Sequence, residues 1–230
     1  MTVFRLPKEN IFPHPDYAEK DGLLAIGGDL KPERLINAYA NGIFPWYSRK
    51  PIAWYSPDPR CVMVPEKFHV SKTMQQLIRR KTFEIRTDSD FRSVITNCAK
   101  VKRSHEKGTW ITKYMIEAYC ELHTMGIAHS FEAYCEEKLV GGLYGLSLGR
   151  MFFGESMFHL VPNASKIAFH ALVEFCKAHN FDLIDNQVTT PHLLSLGATE
   201  ISRTEYLAIL TGSLKKKTIS GNWNIKTVII

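Results

Sequence analysis

The chain has 230 residues, 45% hydrophobic and 23% charged, with a net charge of +6. That is ordinary for a soluble globular protein of one large or two small domains. It argues against a membrane protein, because no apolar run approaches the ~18 residues of a span, and no basic-then-apolar leader opens the sequence.

The first 61 residues are rich in turn signals, among them Pro13, Pro15, Gly27, Gly28, Pro45, Pro51, Pro57 and Pro59. One helix is predicted there: Pro32 suits its first turn, Leu35, Ile36 and Tyr39 share a face, and Gly42 ends it. Phe44, Trp46, Tyr47, Trp54 and Tyr55 come after it in a proline-punctuated strip, either a small aromatic core or a platform of exposed rings. The texture changes at residue 62. Ser71 is predicted to cap a helix with Met74, Leu77 and Ile78 inward and Lys72, Arg79 and Arg80 outward. A second helix carries Phe91, Val94, Ile95 and Cys98, with Lys100, Lys102 and Arg103 at its end. Residues 72–107 hold ten Lys or Arg against four acids, an excess equal to that of the whole chain. Such clustering suits a phosphate backbone, although basic residues at a helix end also complement its dipole.

Thr112 opens a third helix, with Met115, Ile116, Tyr119 and Leu122 inward and Gly126 as its stop. Residues 128–135 and 139–148 read as a hairpin around Glu136 and Glu137, leading to a strand over 150–158. A helix over 165–179, a strand over 181–188, a short helix near 191–196 and a last helix opened by the Ser202–Glu205 capping box complete the pattern. The tail with Lys215, Lys216 and Lys217 shows none. Helices, then hairpin strands, then strand–helix–strand predict an α+β fold with a mostly antiparallel sheet. The expected division is a small N-terminal domain, residues 1–61, followed by residues 62–230. The element order of the second part is that of Gcn5-related acetyltransferases, whose neighbouring strands splay into a cleft, here 150–158 and 181–188.

The 150–188 stretch puts acids where apolar residues belong. Strict alternation sets Met151, Phe153, Glu155 and Met157 on one face, and Asp185 with Gln187. A carboxylate in such company is costly to desolvate unless it has a partner or a task. The bland reading of Asp185 is a strand-end carboxylate paired with a lysine such as Lys166.

Several chemistries are disfavoured. The loop His159-Leu-Val-Pro-Asn-Ala-Ser-Lys166 has no glycine to cradle a coenzyme pyrophosphate. Ser156 lies outside a Gly-x-Ser-x-Gly frame. The nine histidines never fall at metal-ligand spacing, so no metal is expected. Cys61, Cys98, Cys120, Cys135 and Cys176, odd in number and scattered, suit reduced thiols and a cytoplasmic location.

Seven motifs in one order resemble those of the leucyl/phenylalanyl-tRNA–protein transferases: Gly22-Leu-Leu-Ala-Ile-Gly-Gly-Asp-Leu30, Gly42-Ile-Phe-Pro-Trp46, Trp54-Tyr-Ser-Pro-Asp-Pro-Arg60, Gly108-Thr-Trp-Ile-Thr112, Gly154-Glu-Ser-Met-Phe158, Asn163-Ala-Ser-Lys166 and Leu183-Ile-Asp-Asn-Gln-Val188. The similarity runs from about Phe12 to Leu210. It implies a small N-terminal domain, an acetyltransferase-like domain, and transfer of leucine or phenylalanine, less well methionine, from aminoacyl-tRNA onto proteins beginning with Arg or Lys, which marks them for degradation. Two departures stand out: Asn186 replaces a usual cysteine, on a face where little effect is expected, and Gln76 sits in the basic helix.

Amine attack on an activated ester needs no ATP, metal or cofactor, and a monomer suffices. The resemblance implies Glu155 and Asp185 as the acid pair. Asp185, with Gln187, is assigned to orienting and deprotonating the amine, and Glu155 to holding acceptor or ester. Whether Asp185 is itself the base, acts through Gln187, or yields to a tRNA hydroxyl is open. Leu143, Phe152 or Phe153, Met157 and Leu172 are candidates for a pocket tolerant of Leu, Phe and Met guests, and equally for core. Trp46 and Trp110 match the family's adenosine-stacking positions. Tyr39 and Tyr119 either add hydroxyl contacts there or pack inward. Lys72, Arg79, Arg80 and Lys81 are expected on acceptor-stem phosphates.

Overall fold

The computed structural model describes residues 3–101 and 109–223. The basic positions Lys102, Arg103 and Lys107, and Gly108 of the fourth motif, lie outside them.

The N-terminal part holds β1 (Phe4–Leu6), β2 (Leu23–Gly27), α1 (Pro32–Ala40), β3 (Phe44–Pro45) and β4 (Ala53–Tyr55). Its four strands form one sheet in the order β1-β2-β4-β3. The helix is legible in the sequence; the sheet is not. Its strands are two to five residues long, too short for a period-2 pattern to register. Trp54 and Phe44 are buried in its core while Trp46 keeps an exposed face, so the aromatic strip is core and surface at once.

The larger part contains β5 (Arg60–Met63), α2 (Lys72–Arg79), β6 (Glu84–Thr87), α3 (Phe91–Lys100), α4 (Lys113–Thr124), β7 (Ala128–Cys135), β8 (Lys138–Leu148), β9 (Met151–His159), α5 (Ala164–Ala178), β10 (Leu183–Gln187), α6 (Pro191–Ser195), β11 (Thr199–Ile201) and α7 (Arg203–Leu214). Its seven strands run in the order β11-β5-β10-β9-β8-β7-β6. In this sheet only the β9–β10 pair is parallel, as its crossover through α5 requires, and in the N-terminal sheet only β1–β2 is. The described chain is thus α+β with mostly antiparallel sheets. The short strands β5, β6 and β11 escape the sequence pattern for the same reason as those of the N-terminal sheet.

Helix starts follow their caps: Ser71, Thr112 and Ser202 accept from the backbone N–H three residues on. The β7–β8 turn uses Glu136 and Glu137 at φ 48° and 60°, the twist a two-residue hairpin favours. One face of the large sheet packs on α3 and α4, through Val94, Ile95, Met115 and Tyr144. The other packs on α5, through Leu143, Phe152, Ile167 and Leu172. The tail, patternless in sequence, reaches back into this second core. The Trp223 backbone N–H donates to Asp88 at 2.8 Å, and its indole stacks on His129 with ring centroids 3.5 Å apart.

Two irregularities break the regular pairing of β9 and β10. In β9, Tyr144 pairs with Ser156 and Gly145 with Gly154, leaving Glu155 as an extra residue. This β-bulge reverses the alternation. Met151 and Phe153 face the α3/α4 side, whereas Met157 faces α5. The expectation that these residues share one face is therefore corrected, because a period-2 count cannot see an inserted residue. Glycine at 145 permits the bulge, since a Cβ there would run into the Phe153 carbonyl oxygen. In β10, Asp185 pairs with Val62 and Gln187 with Cys61, which makes Asn186 a second extra residue.

Candidate active site

The parallel β9–β10 ladder pairs Leu183, Ile184 and Asp185 with Met151, Phe152 and Phe153, and it ends there. Beyond it the two bulges part the strands, and a cavity of about 520 Å³ opens between them. Its apolar floor is Leu143, Met157, Phe169 and Leu172; its polar wall is Glu155, Asn186 and Gln187; Trp46 and Trp110 stand on its lining with Phe44 and Pro45. A mostly apolar cavity with a few convergent polar groups is the usual form of a small-ligand site.

Of the residues picked from sequence, Leu143, Met157, Leu172, Trp46, Trp110, Glu155 and Gln187 line this cavity. Phe152 and Phe153 do not. Phe152 packs in the core beneath α5, and the Phe153 ring lies 5.2 Å from that of Tyr39 on the other face. Nor do Tyr39 and Tyr119 line it: both are fully buried, and both hydroxyls are turned to Glu155. Tyr39 donates to Glu155 Oε1 at 2.6 Å and Tyr119 to Oε2 at 3.1 Å. Gln187 Nε2 adds a bond to Oε1 at 3.2 Å. Burial pushes the Glu155 carboxyl up to about 7, even though the tyrosine hydrogen bonds pull it down. Burial, reinforced by Glu155, holds both phenols well above their usual range.

Asp185 lies beside the cavity in a different arrangement. Its Oδ1 accepts from Arg60 Nε at 2.9 Å and from the Gln187 backbone N–H at 2.9 Å. Its Oδ2 accepts from Arg60 Nη2 at 2.7 Å and from the Tyr206 hydroxyl at 2.7 Å. A carboxylate has about four acceptor directions, and all four are occupied. Arg60 and Asp185 are 1% and 0% exposed. Burial alone would lower the Arg60 guanidinium, but Asp185 and Tyr206 outweigh it and raise it. The partner of Asp185 is thus Arg60, from a motif noted for its prolines, and not Lys166. Arg60 Nη1 also donates to the Gly42 carbonyl at 3.1 Å, and its guanidinium lies over the Phe44 and Tyr206 rings. Glycine is needed at 42: φ is +73°, and a Cβ would press on Leu207 and Tyr206.

The Asp185 clamp fixes the backbone of Gln187, whose φ of 57° is uncommon for a side chain of its size. That conformation lets both Gln187 and Asn186 line the cavity. Position 186, expected to matter little, is therefore part of the wall. Asn186 Nδ2 is buried with no hydrogen-bond partner among the described residues, a donor left open at a cost of ~1–3 kcal/mol. Arg60, Tyr206, Asn186 and Phe169 escape the sequence reading. Only Phe169 leaves a usable trace, three residues before Leu172 on one helix face.

Lys72, Arg79, Arg80 and Lys81 are all on the surface, on or just after α2. They do not line the cavity; α2 packs against α5, the helix that supplies its floor. No helix among the described residues is long and apolar enough to cross a membrane.

The chain has relatives among known proteins. The sequence profile of the family described as leucyl/phenylalanyl-tRNA protein transferase matches residues 62–211, and that of its N-terminal domain matches residues 28–58. A leucyl/phenylalanyl-tRNA–protein transferase of Anaeromyxobacter dehalogenans (strain 2CP-C) is 51% identical over 227 residues, covering 98% of this chain and 97% of the relative. One from Desulfatibacillum aliphaticivorans is 50% identical, covering 99% and 98%. Among solved structures, that of L-PGS from Bacillus licheniformis aligns with a TM-score of 0.38 at 11% identity, covering 73% of this chain and 53% of the other, too distant to carry an argument.

Proposed function

This chain belongs to the leucyl/phenylalanyl-tRNA–protein transferase family, and on that premise we propose that it moves leucine or phenylalanine, less well methionine, from aminoacyl-tRNA to the α-amine of proteins beginning with Arg or Lys. The observation that carries the reading is the cavity that joins a blunt apolar floor to Glu155, Gln187 and Asn186. An aminoacyl ester needs those two surfaces side by side.

The guest side chain sits among Leu143, Met157, Phe169 and Leu172. Met157 supplies the flexibility that admits both branched and aromatic guests. Each methylene is discriminated by only ~1–3 kcal/mol, so Leu, Phe and Met overlap. The adenosine stacks on Trp46 and Trp110, at about 1–3 kcal/mol per base. Lys72, Arg79, Arg80 and Lys81 meet the phosphates of the acceptor stem as point charges without sequence readout.

Much of the rate comes from holding amine and ester in line. Gln187 orients the incoming amine and, with the Asn186 amide beside it in the wall, supplies donors for the oxygen that becomes negative in the tetrahedral intermediate, while Glu155 holds the amine's charge. Asp185, with every acceptor direction filled, serves through Gln187 and not as the base. Action as a monomer is part of the same proposal.

We read residues 1–61 as a small N-terminal domain and residues 62–230 as an acetyltransferase-like one of Gcn5-related type, with the large sheet already beginning at Arg60 in β5. The two separate sheets and the parted parallel strands support that reading. Marking proteins for degradation in the cytoplasm follows from the same family reading.

The test is single-turnover transfer of labelled phenylalanine from charged tRNA to otherwise identical proteins that begin with Arg, Lys or Met. Transfer to the first two, and far less to the third, is the expected result. Equal labelling of all three, or of none, would refute it.

A further inference from the structure

Three side chains meet through their oxygens just behind the wall of the cavity. Tyr39 Oη lies 2.5 Å from Tyr119 Oη and 2.6 Å from Glu155 Oε1, and Tyr119 Oη lies 3.1 Å from Glu155 Oε2. The three contacts close a triangle. Each phenol carries one hydrogen and an ionised carboxylate carries none. With Glu155 ionised, two hydrogens serve three close contacts. With Glu155 protonated, its own hydrogen fills the third. The arrangement therefore has a vacancy for one proton, and the carboxyl that would take it also lines the cavity.

The surrounding groups suit that task. Tyr39 comes from α1, Tyr119 from α4, and Gln187 from β10, donating to the same carboxylate. Asp185 on β10 and Arg60 on β5 act on Glu155 with opposite signs and are already paired with each other. Tyr144 on β8 packs edge-on against the Tyr119 ring. Burial raises Glu155 to about 7, near the working pH at which a general base is most effective. Both phenols stay neutral donors. Asp185, the other acid of the site, has no acceptor direction left.

We propose that the Tyr39–Tyr119–Glu155 triangle is the proton acceptor of the transfer reaction, with Glu155 as the catalytic base and the two tyrosines as positioning residues that accommodate the proton. This rests on the aminoacyl-transfer reading above. The acceptor's ammonium gives a proton to Glu155, and the freed nitrogen lone pair forms the C–N bond to the ester carbonyl carbon. When the tetrahedral intermediate collapses, the C–O bond to the ribose breaks with its electron pair left on the ribose oxygen. That oxygen takes the proton held by Glu155. The surplus N–H proton of the new amide passes to Glu155 and then to solvent. One ammonium and one ester thus give one amide, one ribose hydroxyl and one proton.

The experiment is the pH dependence of single-turnover transfer from charged tRNA to a Lys-initiated peptide, between about pH 6 and about pH 8.5, for wild type, Glu155→Gln and Tyr119→Phe. Without Glu155 the reaction depends on the fraction of amine already neutral, with a pKa of about 7.7–8.0. The Glu155→Gln deficit is therefore expected to be about 100-fold or more at the acid end and to shrink about fivefold toward the alkaline end, because the neutral amine gains roughly fiftyfold over that range while ionised Glu155 in the wild type gains roughly tenfold. Tyr119→Phe removes a hydrogen bond that lowers the Glu155 pKa, so its acid limb moves to higher pH; a residue that only packs would leave the limb in place. Profiles for both variants parallel to wild type would overturn the triangle while leaving the transferase reading intact. A wild type that transfers at no pH would overturn the transferase reading itself. Should Glu155→Gln fail to fold, the displaced limb of Tyr119→Phe decides alone.

Discussion

Arg60→Met is expected to lower the melting temperature by roughly 10 °C and to reduce transfer at least 100-fold, although Arg60 does not line the cavity. The substitution leaves the Asp185 carboxylate buried without its ion-pair partner, a loss of about 3–5 kcal/mol. For a chain of this size each kcal/mol moves the melting temperature by about 2–4 °C. Arg60 also ties β5 to the Gly42 carbonyl, so the N-terminal part loses an anchor as well. The double variant Arg60→Met/Asp185→Leu separates the two effects. Replacing both charges by apolar groups is often close to neutral for stability, so most of the melting temperature is expected to return. Transfer is not, because the Gln187 N–H no longer has the acceptor that fixes its unusual backbone. Thermal melts and single-turnover rates on the three proteins check this. Recovery of both quantities in the double variant would mean that the Asp185 clamp serves folding alone.

Gln187→Ala is expected to cut the single-turnover rate about 10²–10³-fold, the usual effect of removing one preorganised donor at a developing charge. Little change is expected in the affinity for charged tRNA, because Gln187 meets neither the guest side chain nor the stacking rings. The substitution also removes a hydrogen bond to Glu155, so a modest upward displacement of the acid limb should accompany the loss. A drop confined to tRNA affinity, with the chemical rate intact, would remove Gln187 from the reaction centre.

What can be read from the amino acids alone divides along physical lines. Long elements with apolar periodicity, α1, α3, α4, α5 and the β7–β8 hairpin, are legible because their faces repeat over two or more turns or strand periods. Strands of two to five residues, β1 to β6 and β11, are not. In the site, the motifs lead to Glu155, Asp185, Gln187, Met157, Trp46 and Trp110, and the apolar pattern to Leu143 and Leu172. Their mutual geometry stays hidden because it depends on the two bulges, at Glu155 and Asn186, and a bulge leaves no trace in alternation. For the same reason strict alternation puts Met157 on the wrong face of β9 and gives Asn186 no role. Asp185 reads as a candidate base because sequence cannot report that Arg60, 125 positions away, and Tyr206 already fill its lone pairs. Tyr39 and Tyr119 illustrate the converse. Periodicity places them inward on their helices, as the structure does, but which buried partner their hydroxyls meet is a matter of tertiary packing.

On this account the opening between β9 and β10 holds the amino acid with its carbonyl carbon beside Glu155 and Gln187. The most direct test is a crystal structure of the protein with an amide analogue of phenylalanyl-adenosine, which cannot be transferred. The phenyl ring is expected among Leu143, Met157, Phe169 and Leu172, with the adenine on Trp46 or Trp110 and the carbonyl oxygen within hydrogen-bonding reach of Gln187 or Asn186. A ring lodged elsewhere, or a carbonyl turned away from both amides, would contradict it.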